Sequence, residues 1–363
     1  MAEEVWMLQT KKADFKQIGA RFRIDPVTAR IIRNRGIEGE AAIDRYLNGT
    51  LDDLYDPMLL KDMERAVSIL CEAVDTGKKI RIVGDYDIDG VCSTYILLQA
   101  FERLGSDVDF EIPDRIKDGY GINESIIEQA HADGVEVILT CDNGISAFHQ
   151  VELAKKYGMT VVITDHHEVP LDGEKEKIPP ADAVIDPKQA DCPYPFPEIC
   201  GAVVAYKLVQ VLYARRGVPR MEWLDLLEFA AIATVGDVMK LQDENRILVK
   251  YGLKKMAQTK NLGLRRLAEK NNLDLGAITA YHIGFVIGPC LNAGGRLKTA
   301  KEALALLRAQ SEEEAERLAE ELKELNDTRK DMTEQGTEAA KLQVESWYQK
   351  DKVLVVFLPE CHE

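Results

Sequence analysis

Short runs of aliphatic and β-branched residues alternate with amphipathic stretches between Lys79 and Ile185. This alternation is typical of βαβ units, in which helices connect the parallel strands of one sheet. It predicts strands over residues 80–83, 108–112, 135–140, 160–164 and 183–185. Helices are predicted between them, over residues 91–104, 123–132 and 145–157. We therefore expect an α/β fold built on a mainly parallel, doubly wound sheet.

Helical periodicity dominates the sequence after the turn-rich stretch 186–197. Apolar residues recur at helical spacing over residues 200–214, 221–233, 246–258 and 262–270, which predicts a helical cap on the sheet. Ser311 opens a capping box, and the Glu-, Leu- and Lys-rich run behind it predicts a helix of roughly 50–60 Å. A helix of that length is either a coiled coil or a connector to another domain.

The apolar run 353–358 predicts a buried strand close to the last residue of the sequence. Because a lone strand cannot bury a core, we expect it to begin a second α/β domain that is mostly missing. The predicted domains are an N-terminal extension (1–60), a catalytic domain (61–310), a connector helix (311–350) and the beginning of the truncated second domain (351–363).

Composition narrows the classes of function. The 363 residues include 46 Lys and Arg against 62 Asp and Glu, a net charge of −16, which excludes a uniformly basic nucleic-acid coat. A polyanionic partner would need a local basic patch or bound cations. No apolar run approaches the roughly 18 residues of a membrane span, and the first residues are acidic, so we expect a cytoplasmic protein without a membrane partner. Seven cysteines without a C-x-x-C pair predict reduced thiols.

Three carboxylates follow the first predicted strand, at Asp85, Asp87 and Asp89. The carboxyl ends of parallel strands are where open α/β sheets bind their ligands. Crowded carboxylates repel one another unless a cation or hydrogen-bond donors neutralise them. Taken alone, this segment is also typical of a solvated acidic turn or a helix N-cap.

Two further strand ends bring similar residues to the same edge. The third strand ends before Asp142, and the fourth before Asp165, His166 and His167. Such a set, rich in carboxylates and free of thiolates, favours Mn²⁺ or Mg²⁺ over zinc, and its size favours two ions. Two cations about 3.5–4 Å apart are a common device for displacement at phosphorus. The sequence therefore predicts hydrolysis of a phosphate ester or anhydride.

Two later segments add candidates. Asp237 follows an apolar helix, where a carboxylate opposes the helix dipole unless it is exposed or faces a cation. The glycine-rich segment 288–297, predicted as a loop before a helix over 300–309, carries Asn292 and Arg296. Backbone N–H groups and a guanidinium can clamp a phosphate, although most such loops are only turns.

The segments 84–90, 142–144, 165–167, 236–237 and 292–296 together resemble, in order and spacing, the DHH phosphoesterase superfamily. The resemblance is closest to its single-stranded-DNA-specific exonuclease branch, because Val83 stands where the pyrophosphatases and short-oligonucleotide hydrolases carry histidine, and Asp85 is present. It implies a manganese-dependent 5′-to-3′ exonuclease that releases 5′-mononucleotides in DNA repair and recombination. The second domain would be of the DHHA1 type.

The resemblance also implies roles for individual residues. The two Mn²⁺ ions, or Mg²⁺ ions with the same ligands, would be held by Asp87, Asp89, Asp142, His166 and Asp237. Asp142 would bridge the two ions. The residues that support catalysis would be Asp85, Asp165, His167 and Arg296. Residues implied to hold the strand are Arg115, Tyr120, Asn292 and Arg296.

A basic stretch offers a further surface for DNA. Residues 246–270 contain eight basic residues against the single acid Glu269, so Lys254 and Lys255 are candidate DNA contacts. A solvated face of two helices is an equally good interpretation. The implied partners are single-stranded DNA, a single-stranded-DNA-binding protein and a helicase. The alternatives are a hydrolase of short oligonucleotides or cyclic dinucleotides, and an inactive scaffold that binds DNA or replication proteins.

Overall fold

The computed structural model describes residues 5, 7, 11–115, 121–347 and 352–358. Five parallel strands form the central sheet, in the order β2-β1-β3-β4-β7. Their bounds are Ile80–Val83 (β1), Val108–Glu111 (β2), Val137–Cys141 (β3), Thr160–Thr164 (β4) and Ala183–Ile185 (β7). A short antiparallel hairpin, Leu171–Asp172 (β5) with Lys175–Glu176 (β6), lies outside this sheet. The predicted parallel α/β sheet is confirmed.

Helices cover both faces of the sheet because successive strand residues point to opposite sides. These helices are Met63–Thr76 (α4), Ile88–Arg103 (α5), Glu124–Ala132 (α6) and Phe148–Lys156 (α7). In β3, Leu139 faces the core that includes α4 and α5, whereas Ile138 faces the core that includes α6 and α7. The chain leaves β1 for the edge strand β2 and crosses back to β3, so strand order reverses beside β1. Open sheets of this kind bind ligands at that position.

The second half of the chain is the predicted helical cap. Its helices are Gly201–Arg215 (α8), Arg220–Leu224 (α9), Leu227–Gly236 (α10), Asp243–Met256 (α11), Leu262–Lys270 (α12), Ala280–His282 (α13), Gly288–Leu297 (α14), Lys301–Arg308 (α15) and Glu312–Trp347 (α16). Helix α16 contains 36 residues, and its first half packs on α12, α14 and α15 through Ala315, Leu318 and Leu322. That this helix connects two domains stays a prediction.

The prediction of a loop over residues 288–297 is wrong, because this segment is helix α14. A π-helical turn, Ile283–Ile287, joins it to α13, so the helical run is continuous from 280 to 297. A Cβ on Gly295 would lie 2.3 Å from the carbonyl oxygen of Tyr86. Glycine at position 295 therefore allows the helix to approach the backbone next to Asp87, and this packing offsets its low helix propensity.

The predicted strand over residues 353–358 is also absent from the described part of the chain. Residues 354–358 carry no regular secondary structure, and Val353, Val355 and Phe357 are exposed. A strand needs a partner to satisfy its backbone N–H and C=O groups, and none of the described segments pairs with it.

Residues before the sheet form three helices, Phe15–Phe22 (α1), Pro26–Asn34 (α2) and Glu40–Asn48 (α3), around a small core of Ile32, Ile43 and Tyr46. This unit docks on α11, where Arg246 Nε donates to the carbonyl oxygen of Tyr46 at 2.6 Å. Among the described residues, no helix is long and apolar enough to cross a membrane.

Candidate metal centre

Asp85, Asp87 and Asp89 occupy the turn from β1 into α5. Asp87 caps the helix, since its Oδ1 accepts the backbone N–H groups of Asp89 and Gly90 at 2.9 and 3.0 Å. Asp85 and Asp89 are almost fully buried. The helix-cap interpretation is therefore correct for Asp87, but a single cap does not account for two further buried carboxylates beside it.

Asp89 is held by the N-terminus of α8. Its Oδ2 accepts the N–H of Gly201 at 2.6 Å, and its Oδ1 accepts the N–H of Ala202 at 2.8 Å. These unpaired helix N–H groups and the helix dipole stabilise the carboxylate. A Cβ on Gly201 would lie 2.7 Å from Cβ of Asp142, so glycine allows α8 to approach both carboxylates. Sequence reasoning assigned no role to Gly201.

Asp142 directly follows β3 in a left-handed backbone conformation with φ of 61°. Such a conformation costs an ordinary residue free energy, and at buried sites it is associated with function. The next residue, Asn143, donates from Nδ2 to the carbonyl oxygens of Val83 and Cys141, both at 3.0 Å. Asn143 thus ties the ends of β1 and β3 together beside Asp142. The prediction missed this positioning residue, although it lies in the segment 142–144.

His166 completes the cluster from the end of β4. Its Nε2 lies 3.1 Å from Asp142 Oδ1 and 3.4 Å from Asp89 Oδ2. The same nitrogen is 3.9 Å from Asp237 Oδ2, which reaches the cluster from the end of α10. Burial lowers the pKa of His166, so its ring is neutral and able to bind a cation. The imidazole thus sits among three carboxylates delivered by three different elements.

Asp165 and His167 form a pair behind the cluster. The buried Asp165 accepts the N–H groups of Ile145 and His166 at 2.9 and 2.7 Å and lies 2.7 Å from His167 Nδ1. Burial acts to raise the pKa of Asp165, but the hydrogen bond to His167 lowers that pKa below its ordinary value. Burial acts to lower the pKa of His167, but the hydrogen bond to Asp165 raises that pKa to about 9. Asp165 therefore orients the backbone of His166 and the ring of His167.

The ligand atoms fall into three groups, each within 4.8 Å: Asp85, Asp87 and Asp142; Asp89, His166 and Asp237; and Asp142, His166 and His167. Asp142 belongs to the first and third groups. The first two groups provide separate places for two cations, and Asp142 and His166 lie between them.

The electrostatics of the cluster favour a cation. Burial and the charge of Asp87 raise the pKa of Asp85 to about 7, and burial and Asp89 raise the pKa of Asp237 to about 7. Burial and the neighbouring carboxylates also raise the pKa of Asp142. Two buried atoms, Asp85 Oδ1 and His166 Nδ1, have no hydrogen-bond partner among the described residues. Divalent cations would return the carboxylates to their ionised form, so these residues fit Mn²⁺ or Mg²⁺.

Asp186 is a further strand-end carboxylate that the prediction missed. It follows β7 directly and is fully buried. Burial and the charge of Asp165 raise its pKa to about 7. The signal that could have found it is its place directly after the fifth strand, as for Asp142 and Asp165 after theirs.

The predicted strand-holding residues lie in two places. Arg296, at the end of α14, and Asn292 line one cavity beside the cluster, and Arg115 lies over the ring of Tyr86 at 5.6 Å. Tyr120 lies outside the described residues.

The basic stretch lies on other helices and is largely paired. Lys255 binds Asp225, and Lys254 stands over the ring of Tyr251 at 4.9 Å. The basic residues of α12 form ion pairs with acidic residues of α16. Contacts within the folded chain therefore account for much of this basic stretch. The DNA-binding role of Lys254 and Lys255 stays a prediction.

An α/β sheet with a carboxylate and imidazole cluster at its carboxyl edge is the architecture of a metal-dependent hydrolase. Comparison with known proteins agrees with this class. Residues 79–234 match the model of the DHH family, N-terminal domain. The chain is 37% identical over 336 residues to the single-stranded-DNA-specific exonuclease RecJ of Bacillus subtilis, covering 92% of this chain and 41% of that protein.

Solved structures give the same result. The chain matches exonuclease RecJ bound to manganese with a TM-score of 0.73 and 34% identity, over 84% of this chain and 74% of the other. It matches RecJ from Thermus thermophilus in complex with Mn²⁺ with a TM-score of 0.78 and 31% identity, over 96% of this chain and 48% of the other. The chain belongs to the DHH family and, within it, to the RecJ group. It spans less than two thirds of the length of the curated relatives it matches.

Proposed function

We propose that this chain is the catalytic part of a manganese-dependent exonuclease that degrades single-stranded DNA from its 5′ end and releases 5′-mononucleotides. The observation that carries the proposal is the convergence of Asp85, Asp87, Asp142 and His166 from three strand ends on one buried cluster. Relatives that are named single-stranded-DNA-specific exonucleases, and a relative whose structure is bound to manganese, support the same activity.

The ligand groups suggest how two Mn²⁺ or Mg²⁺ ions would be held. Asp85 and Asp87 would hold one ion, and Asp89, His166 and Asp237 would hold the other. Asp142 would bridge the pair. Bound in this way, the cations supply Lewis acidity to the scissile phosphate and lower the pKa of the attacking water.

The remaining residues act on geometry and charge. Asp165 fixes the orientation of His166 through its backbone N–H, and the α8 N-terminus fixes Asp89. Arg296 lines a cavity together with Gly236, and we expect its guanidinium to neutralise a phosphate oxygen in the transition state. Hydrolysis would form a bond between the water oxygen and phosphorus, break the bond between phosphorus and the 3′ oxygen, and leave one proton of the water on that 3′ oxygen.

The wider roles follow from the family. We propose that the protein acts in DNA repair and recombination in the cytoplasm, with a single-stranded-DNA-binding protein and a helicase as partners. The division into an N-terminal extension (1–60), a catalytic domain (61–310), a connector helix (311–350) and the beginning of a DHHA1-type domain (351–363) belongs to the same proposal.

The test is nucleotide release from single-stranded DNA labelled at its 5′ or 3′ end, with Mn²⁺, compared with a double-stranded control. We expect the 5′ label to appear first, as mononucleotide. Asp142→Ala should reduce the rate by on the order of 10²–10³-fold or more, because it removes the carboxylate between the two ligand groups. Asp172→Ala removes an exposed carboxylate of β5 and should leave the rate unchanged.

Calorimetric titration with Mn²⁺ separates the possible failures. A chain that binds no Mn²⁺ contradicts the metal centre itself. A chain that binds Mn²⁺ but cleaves only dinucleotides supports the short-oligonucleotide hydrolase instead. Release of the 3′ label first contradicts the proposed polarity but leaves the nuclease activity standing.

A further inference from the structure

Two aromatic side chains stand exposed on the helical run that ends at Leu297. Tyr281 and Phe285 are 63% and 68% exposed. Their rings stack on each other, with centroids 4.8 Å apart and an interplanar angle of 27°. The four-residue spacing places both on one side of the helix. Two exposed rings that stack on each other present apolar faces on which a further planar group can stack.

The helical run that carries the aromatic pair also lines a cavity next to the metal centre. The cavity has a volume of about 200 Å³, and its wall includes Gly284, which lies between Tyr281 and Phe285 in the sequence. Its lining also includes Gly236, the residue before Asp237 of the metal centre. A volume of this size is below that of pockets for whole drug-sized ligands, so it suits one part of a longer molecule.

The cavity is positively charged in a protein whose net charge is −16. Arg296 and Arg329 both line it, and Asn292 contributes a buried Oδ1 that has no hydrogen-bond partner among the described residues. Partial desolvation and repulsion from Arg329 and Arg115 lower the pKa of Arg296. An anionic chain would be attracted to this place rather than to the acidic surface around it.

We propose that Tyr281 and Phe285 form a base-stacking platform for the single strand, whose phosphates then pass Arg329 and Arg296 on the way to the metal centre. This inference rests on the proposed function and adds the contact that holds the strand. Aromatic faces beside a positive groove bind single-stranded nucleic acid of any sequence, because every base has a face to stack. An exonuclease that removes successive nucleotides needs such tolerance.

The position of the platform sets a minimum strand length. Phe285 and Arg296 are separated by eleven residues of helical run, or about 16 Å along its axis. That distance corresponds to about five stacked nucleotides at ~3.4 Å each, and fewer in a stretched strand. A dinucleotide bound at Arg296 is too short to reach Tyr281 or Phe285 as well, whereas a strand of about ten nucleotides spans both places.

The test replaces both rings in the full chain, as Tyr281→Ala with Phe285→Ala. We expect kcat/KM for a strand of about ten nucleotides to fall by about 5- to 100-fold, as expected for the loss of base stacking, and kcat/KM for a dinucleotide to stay within about twofold. Tyr281→Phe with Phe285→Tyr keeps both rings and should retain the wild-type values. Tyr157→Ala removes a half-exposed ring at the end of α7, before β4 and thus at the opposite edge of the sheet, and serves as the matched control.

A binding measurement keeps the platform testable without catalysis. Strands carrying 2-aminopurine at successive positions should show quenched fluorescence at one or two positions on binding the wild-type chain, and the double alanine variant should lose that quenching. The platform is refuted if the variant keeps the wild-type quenching profile and strand affinity. If the wild-type chain binds and quenches the strand but cleaves neither substrate, the platform stands and the proposed function fails.

Discussion

Replacing Gly201 by alanine tests how the fold holds the metal ligands. The added Cβ would lie 2.7 Å from Cβ of Asp142 and 2.8 Å from its Oδ1, against about 3.5–4.0 Å for an ordinary contact. The N-terminus of α8 must therefore retreat by about 0.8 Å. The hydrogen bonds from Gly201 N and Ala202 N to Asp89 are now 2.6 and 2.8 Å long. That movement would lengthen the first bond to the limit of hydrogen-bond range and the second beyond it.

The expected cost follows from these two bonds. Hydrogen bonds to a charged group contribute about 1.5–3 kcal/mol each, and alanine recovers about 1 kcal/mol of helix propensity. We therefore expect Gly201→Ala to lower the free energy of unfolding by about 2–5 kcal/mol. Because Asp89 loses its orientation, the affinity for Mn²⁺ should fall by about 10- to 100-fold.

Urea unfolding and calorimetric titration with Mn²⁺ measure the two effects. Ala202→Gly is the matched control, because it changes the next residue of the same helical turn and keeps both N–H donors. It should cost about 1 kcal/mol of stability and leave Mn²⁺ affinity unchanged. A Gly201→Ala chain with wild-type stability and wild-type Mn²⁺ affinity would refute the close approach of α8 to the two carboxylates.

Two further predictions concern buried polar groups outside the ligand set. Burial raises the pKa of Glu228 to about 7 from an ordinary 4.5, so the folded chain should lose up to about 3 kcal/mol of stability as pH rises from 4.5 to above 7. Glu228→Gln should remove that loss. Urea unfolding should therefore show the same stability for the variant and the wild type at pH 4, and a more stable variant at pH 8. A variant that is no more stable than the wild type at pH 8 contradicts the raised pKa. Asn143→Ala leaves the carbonyl oxygens of Val83 and Cys141 without their donor and should cost about 1–3 kcal/mol, with a fall in nuclease rate larger than a fall in strand affinity. An unchanged rate would show that Asn143 does not position Asp142.

The parallel sheet was predictable because its signal is local. The strands at 80–83, 160–164 and 183–185 have the predicted bounds, and the other two differ by one or two residues at their ends. A buried parallel strand is covered on both faces, so its sequence is a short apolar run between helices. The edge of the sheet that carries Asp85 and Asp142 follows from the same topology without any knowledge of side-chain contacts.

Helix α14 was not predictable in the same way. Glycines at 294 and 295 usually indicate a turn. Only tertiary packing explains them, because Gly295 lies against the backbone of Tyr86 and Gly294 against the backbone of Thr299. The same holds for the predicted strand over 353–358, since a strand is formed by pairing with another segment and not by its own residues alone. The aromatic pair Tyr281 and Phe285 likewise became a candidate binding surface only through the neighbouring cavity, which the sequence alone does not show.

The sequence by itself determined the α/β class, the helical cap, the long helix α16 and the residues gathered at the carboxyl edge, because hydrophobic periodicity and motif order are properties of neighbouring residues. Only the tertiary structure decided how those residues are held. Asp89 is bound by α8 from 112 positions further along the chain, and Asn143 donates to Val83, 60 positions before it. Such contacts depend on the close packing of distant backbone segments, for which a single sequence carries no local signal.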